Sequence, residues 1–249
     1  MSAEEKAIRA ASFGSVADAY ERGRPSYPTA AISWALGERS LRVADVGAGT
    51  GKLTQALVRA GHEVVAIEPL AEMRVVLAER HPQVELLDGR AEALPLADGS
   101  VDAVVAGSAF HWFDWGPAFA EIARVLRGAG MLAMLGNGFE DDAQRWVAGL
   151  REILGPGPLG RADHWPEDSE LGRWFVEVAD HSFAHPHPVT LPTLLDFALS
   201  RSSVAILEEA ERGLKLRAIE RLWQEQVGSE RAILPYRTAV RRATGLRAR

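Results

Sequence analysis

From residue 41 to 136 short apolar runs alternate with amphipathic stretches, and this rhythm restricts the architecture more than any other feature of the chain. Strands buried on both faces and separated by helical patterns build βαβ units and a parallel sheet, whereas hairpins would show tight turns between period-two runs. Residues 41–46 form an apolar run that ends at a glycine-rich turn. Leu53, Ala56, Leu57 and Ala60 then recur at helical spacing, and Gly61 closes that helix. Residues 64–67 read as a second strand stopped by Pro69, followed by a helical stripe of Met73, Val76 and Leu77 that ends at Pro82. Residues 84–87 and 101–106 read as strands three and four, parted by a turn region with Pro95 and Asp98-Gly99. Phe119, Ile122, Ala123 and Leu126 make the next helical face. The glycines at 128 and 130 break it before a fifth strand at 131–135.

Beyond Gly136 the repeat stops. Trp146, Val147, Leu150, Ile153 and Leu154 mark a helix, and Gly155-Pro156-Gly157-Pro158 forces a loop. Pro186 and Pro188 each remove a ladder donor, so a strand within 181–190 is expected to be short or at an edge. Residues 194–227 read as largely helical, and 232–240 as a last strand interrupted by Pro235. In front, Ser15 and Asp18 suggest a helix start, with Pro25 and Pro28 as its stop.

Composition closes several routes. With 249 residues a single domain suffices. A net charge of −6 argues against nucleic acid, because non-specific affinity for it comes from clustered cations. Without cysteine there is no disulfide, thiolate nucleophile or thiolate metal site. The first ten residues carry Glu4, Glu5, Lys6 and Arg9, and no run reaches the roughly 18 apolar residues of a membrane span, so a cytoplasmic protein with no membrane partner is expected. Lys6, Lys52 and Lys215 are the only lysines among 28 basic residues, which suggests a GC-rich bacterial genome.

The chemistry concentrates in Asp45-Val46-Gly47-Ala48-Gly49-Thr50-Gly51, between the first strand and helix, where open parallel sheets receive ligands. The glycines admit a ligand to the backbone and to the amide donors of the helix start. A dinucleotide fingerprint would need glycine where Lys52 stands, and a P-loop would need a hydroxyl residue in place of Leu53. Asp45 would repel phosphate and suits an ammonium or sulfonium charge. Glu68 ends the second strand, where an acid can accept both hydroxyls of a ribose. Together they imply an adenosine-bearing, partly cationic ligand.

With Gly89-Arg90-Ala91-Glu92-Ala93-Leu94-Pro95 and Ala109-Phe110-His111-Trp112-Phe113-Asp114, these segments resemble the class I S-adenosylmethionine-dependent methyltransferases. The likeness is greatest to the small-molecule, type 11 branch that includes trans-aconitate methyltransferase-like proteins. It spans about residues 10–136 and returns at Leu234-Pro235-Tyr236-Arg237. It implies a Rossmann-like α/β fold: a mostly parallel seven-stranded sheet, helices on both faces, and a helical lid from the N- and C-terminal segments. One domain would divide into a lid segment (1–40), a cofactor-binding core (41–136), and acceptor-side helices with final antiparallel strands (137–249). The cofactor would be S-adenosyl-L-methionine and the product S-adenosyl-L-homocysteine. Asp45, Gly47, Ala48, Gly49 and Gly51 would hold the methionine part, and Glu68 the ribose. Met73, or Pro69 and Leu70, would pack on the adenine. Arg90 stands where an acid usually meets the adenine amino group, which shifts that contact to the backbone around Ala91. Ser108 would face the donor methyl. Tyr20, Arg24 and Tyr27 match a Y-x-x-x-R-P-x-Y-P pattern in which Arg24 suits a carboxylate. Phe13, Tyr27, His111, Trp112, Trp115 and Arg237 would face the acceptor.

An acceptor oxygen, nitrogen or carbon would displace the sulfonium methyl in line. A carboxylate acceptor needs no base, whereas a hydroxyl needs one, and His111 is the candidate. The plainer reading packs His111 on Trp112 as pocket wall. His181, His185 and His187 are split by prolines and lack a carboxylate at ligand spacing, so no metal is expected. Asp141-Asp142 reads as the acidic first turn of a helix. Arg237 belongs to a basic end, either a solvated tail or a clamp on an anionic substrate. A small-molecule acceptor and a monomer or homodimer complete the expectation. Its rivals are a cofactor sensor, a non-methylating rearrangement or cyclisation, and a nucleotide-dependent oxidoreductase.

Overall fold

The structure, a computed structural model, describes residues 17–139, 144–155 and 165–247. Helices α1 (Ala17–Gly23) and α2 (Thr29–Leu36) lead in, divided by Pro25 and Pro28; Ser15 lies outside the described residues. The core follows as β1 (Arg42–Val46), α3 (Lys52–Arg59), β2 (Glu63–Ile67), α4 (Ala71–Arg80), β3 (Glu85–Leu87), β4 (Val101–Gly107), α5 (Trp115–Val125) and β5 (Leu126–Phe139). The second part holds α6 (Arg145–Leu154), α7 (Asp168–Leu171), β6 (Phe175–Ala184), β7 (His187–Val189), α8 (Leu191–Leu199), α9 (Ser202–Ala205), α10 (Glu209–Gln226), β8 (Ala232–Leu234) and β9 (Tyr236–Leu246). No described helix is long and apolar enough to cross a membrane.

The seven-stranded sheet runs β3-β2-β1-β4-β5-β9-β6, parallel from β3 to β5, with β9 antiparallel to both its neighbours. Strand alternation divides the core between two faces. Ala44, Val46, Val104, Ala106, Leu132 and Met134 pack with Phe119 and Ile122 of α5 on one side. Val43, Ala103, Val105, Ala133 and Leu135 pack with Ile32 of α2 and Leu53 and Leu57 of α3 on the other. A third apolar cluster joins α6, α8, α10 and β8 to Tyr236. Because β9 runs backwards, its first residue, Tyr236, pairs with Phe139 at the carboxyl end of β5 and carries that cluster to the edge where α/β sheets bind ligands.

Two expectations are corrected, and the one for 181–190 is met. Strand β5 starts at Leu126, straight after α5; the pairing steps from Val101↔Leu126 to Ala103↔Met131, so the glycines at 128 and 130 bulge the ladder without ending it. The region before Pro186 is a ten-residue strand, β6, and only β7, which contains Pro188, is short. Both tolerate their sequence for the expected reason, since β6 is the sheet edge and β7 pairs with β8 alone. Pro235 does not interrupt one strand but separates two that join different sheets: β8 pairs with β7, and β9 enters the main sheet.

Candidate functional site

Asp45 is fully buried near the end of β1, on the face that α3 covers. Thr54 Oγ1 of α3 donates to its Oδ2 at 2.6 Å, while its Oδ1 is buried with no hydrogen-bond partner. Burial pushes the carboxyl up to about 7; the Thr54 bond opposes the shift and the neighbouring Glu68 adds to it. A buried carboxylate with one oxygen unmet lacks a cation.

The glycine loop supplies shape. Gly47, Gly49 and Gly51 all adopt left-handed φ, at 72°, 59° and 91°. Gly47 and Ala48 both donate their amides to Ile67 O, at 2.8 and 3.1 Å, and Gly51 donates to Ala48 O, so these three donors close the turn. A Cβ on Gly47 would lie 2.6 Å from the Cβ of Ala109, whereas one on Gly49 would meet nothing within 4 Å. Gly49 therefore borders open space, and its amide donates to Glu68 Oε2 at 2.9 Å. Leu70 N donates to Oε1, also at 2.9 Å. Burial raises the Glu68 carboxyl and these two amides lower it. A carboxylate has about four acceptor positions, so each oxygen keeps a lone pair for a ribose hydroxyl.

The far wall begins where β4 ends. Ser108 is the only non-glycine residue of positive φ (55°) among the described residues, a strained conformation of the kind that clusters at functional sites. Its amide donates to Leu135 O at 2.7 Å, and its Oγ shares a 3.2 Å hydrogen bond with the hydroxyl of buried Tyr27. Phe110 and Phe113 anchor the next turn in the core. The His111 ring lies against Trp112 with centroids 4.6 Å apart, and Trp115 Nε1 donates to Phe110 O at 3.3 Å.

Helix α1 straps the crevice. Glu21 accepts from Thr50 Oγ1 at 2.8 Å and pairs with Lys52 at 3.0 Å and Arg80 at 2.9 Å, fastening the strap to the glycine loop and α4. Arg22 makes a bidentate pair with Asp196 on α8 at 2.8 and 3.0 Å. Arg24 Nε donates to Ser200 Oγ at 2.8 Å, and its guanidinium lies over the Phe197 and Tyr20 rings at 5.1 and 5.3 Å. Tyr20 sits among these charges; burial raises its hydroxyl pKa, Arg24 lowers it, and the acids Glu68, Glu21 and Asp45 raise it. Below the strap, Asn137 Nδ2 donates to Ser26 O at 3.0 Å, and Asn137 Oδ1 accepts from Thr238 Oγ1 at 2.6 Å.

Asp45, the glycines, Ala48, Glu68, Ser108, Tyr20 and Tyr27 thus converge on one crevice. Met73 is buried, Leu70 half-buried and Pro69 exposed beside it. Arg90 turns outward, its side chain 75% exposed and 3.6 Å from Glu92, while Ala91 is buried and Arg90 O accepts from Ala93 N. Arg24 is committed to Ser200, and Arg237 donates to Ser182 Oγ at 3.0 Å on the edge strand. Phe13, Asp141 and Asp142 lie outside the described residues. No group of three or more metal-ligating side chains occurs among the described residues; His181 stacks on Trp34, and His187 packs against Tyr236. Thr54, Glu21 and Arg201 were not legible in advance. Thr54 follows Asp45 by one strand-turn-helix step and Glu21 lies inside the Tyr20 pattern, but Arg201 has no sequence signal in an arginine-rich chain.

Residues 44–134 match the family description "Methyltransferase domain". Uncharacterized methyltransferases of Mycobacterium tuberculosis are 41% identical over 236 residues, which is 94% of this chain and 95% of theirs. The chain is a class I S-adenosylmethionine-dependent methyltransferase. An uncharacterized methyltransferase of Schizosaccharomyces pombe is 33% identical over 78% of this chain and 79% of its own. A solved structure from Anabaena variabilis, described as a methyltransferase from an antibiotic biosynthesis pathway, superposes with a TM-score of 0.60 at 25% identity, covering 85% of this chain and 95% of that one. The crevice of this methyltransferase fits its cofactor: the unmet oxygen of Asp45 suits an ammonium, the free lone pairs of Glu68 suit vicinal hydroxyls, and Gly49 leaves room above the loop.

Proposed function

We propose that this methyltransferase acts on a small-molecule acceptor bound between the β4 exit and the helices α8 and α9, beneath α1. The observation that supports this is the strap itself: Glu21 ties it to the cofactor loop, and Arg22 and Arg24 tie it to α8 and to Ser200 just after it, so the segment lies across the crevice where an acceptor would enter. The net charge of −6 likewise disfavours nucleic acid as acceptor.

When bound, S-adenosylmethionine supplies an electrophilic methyl carried on a sulfonium. Asp45 and Glu68 would hold its ammonium and its ribose. Tyr27 fixes Ser108, and Ser108 in its strained turn orients the backbone that faces the acceptor. Phe113, Trp112 and Tyr20 exclude water, so alignment supplies most of the acceleration. For a hydroxyl or amine acceptor, an imidazole nitrogen of His111 takes the proton that the acceptor loses. The test is S-adenosylhomocysteine release with panels of small acceptors, RNA and protein. Release is expected with small acceptors alone, and His111→Ala should lower kcat by about 100-fold with cofactor affinity unchanged. Turnover on RNA or protein alone, or full turnover of His111→Ala on a hydroxyl acceptor, would overturn the respective part.

A further inference from the structure

Where α8 passes into α9, Arg201 is only 4% exposed, its Nε is buried without a hydrogen-bond partner, and no carboxylate pairs with it among the described residues. Buried guanidinium groups are ordinarily paired, because removing a charge from water costs far more than an unsatisfied amide. Burial, with the cations Arg24 and Arg151 near by, pulls the pKa of Arg201 down to about 10, and Tyr236 opposes the shift. Arg201 is therefore still charged at neutral pH. Arg24, held by the adjacent residue Ser200, has only neutral partners there: a hydroxyl, a carbonyl and two aromatic rings. Tyr236 is buried close enough for both arginines to act on its hydroxyl, whose pKa burial itself pushes up. Among the described residues the fold thus sets a buried and a half-buried guanidinium group near each other without an acid, an arrangement that an incoming anion would complete.

We infer that Arg201, with Arg24 and Tyr236, forms a subsite for a carboxylate or similar small oxyanion carried by the methyl acceptor. The inference rests on the small-acceptor reading and narrows it to anionic acceptors. The position separates this subsite from the cofactor acids. Tyr20 feels Arg24 together with Asp45 and Glu68, whereas Arg201 feels Arg24 and Tyr236 and neither acid. Arg201 follows Ser200, the residue that Arg24 holds, at the junction of α8 and α9, whereas Asp45 and Glu68 stand at the ends of β1 and β2. The same chemistry could reach it from the carboxylate of the cofactor, and the test separates the two sources.

The test uses the full chain saturated with S-adenosylhomocysteine and titrated with acetate, succinate, citrate, phosphate and sulfate, with sodium chloride at matched ionic strength and succinamide as neutral control. At least one oxyanion is expected to bind saturably and raise Tm, succinamide is not, and Arg201→Met should abolish the effect while Arg201→Lys keeps part of it. Arg201→Met should also raise the Tm of the free protein, because an uncompensated buried charge is gone; a merely structural arginine would lower it. S-adenosylhomocysteine should bind wild type and Arg201→Met equally well. If Arg201→Met weakens it tenfold or more and leaves 5′-methylthioadenosine, which has no carboxylate, unaffected, the subsite grips the cofactor and the inference falls. It falls equally if no oxyanion exceeds the chloride control. Methylation of a neutral small acceptor, undisturbed in Arg201→Met, would sink the inference and leave the small-acceptor reading standing, whereas methylation of RNA or protein alone would sink that reading itself.

Discussion

Gly47 and Gly49 occupy the same turn with nearly the same left-handed φ, yet substitution should expose different roles. Alanine at either position meets the left-handed cost of about 1–2 kcal/mol. At Gly47 the new methyl also strikes Ala109 at 2.6 Å, and overpacking adds about 1–3 kcal/mol. Gly47→Ala should therefore lower Tm clearly. Gly49→Ala puts its methyl into open space, so stability should fall by the left-handed cost alone, less than in Gly47→Ala, while calorimetric affinity for S-adenosylhomocysteine falls by more than tenfold. Equal loss of Tm in both variants would refute the assignment of that space to ligand. The three glycines, Asp45 and Glu68 were legible because spacing on a strand-turn-helix unit is a one-dimensional property. The partners of Asp45 were not, because the Thr54 bond and the unmet Oδ1 depend on how α3 lies across β1.

At the scale of elements, α1 is a seven-residue helix, too short to persist alone in water, and it is held by two adjacent charges of its last turn, Glu21 and Arg22. Glu21 is mostly buried and serves three partners, so Glu21→Ala removes charge-assisted contacts worth about 1.5–3 kcal/mol each and leaves Lys52 and Arg80 without their acid. Hydrogen exchange across residues 17–23 should accelerate in that variant, and affinity for S-adenosylhomocysteine should drop several-fold. Protection of β1, β4 and β5 should stay as in the wild type. Unchanged exchange in α1 would show that apolar contacts alone dock it. The core helices and strands could be predicted because each buries a periodic face. Strand β6 hid because a half-exposed edge strand carries little apolar signal, with Val176, Glu177, His181 and Ser182 all facing water.

For the whole molecule, binding, protonation and stability are linked through Asp45. Its folded pKa, about 7, lies above that of an unfolded aspartate, so the ligand-free protein loses stability as pH rises from the unfolded carboxylate range towards 7. A cationic ligand needs the ionised form, so affinity should rise as pH climbs through 7, by up to about tenfold per unit below it. At about 100 times its Kd, S-adenosylhomocysteine should stabilise by about 2.7 kcal/mol, or roughly 5–11 °C in Tm for a chain of this size. The shift should be larger at about pH 8 than at about pH 6, should lose its pH dependence in Asp45→Asn, and should be absent with NAD. A pH-independent wild type would refute the role given to Asp45. What the sequence determined alone is the parallel core, the glycine turn and the two acids, since periodicity and short spacings need only neighbouring residues. The closure of α1, the double use of the chain around Pro235 and the enclosure of Arg201 arise from contacts between segments far apart in the chain. Which charge ends up without a partner is settled only when those segments pack together and exclude water.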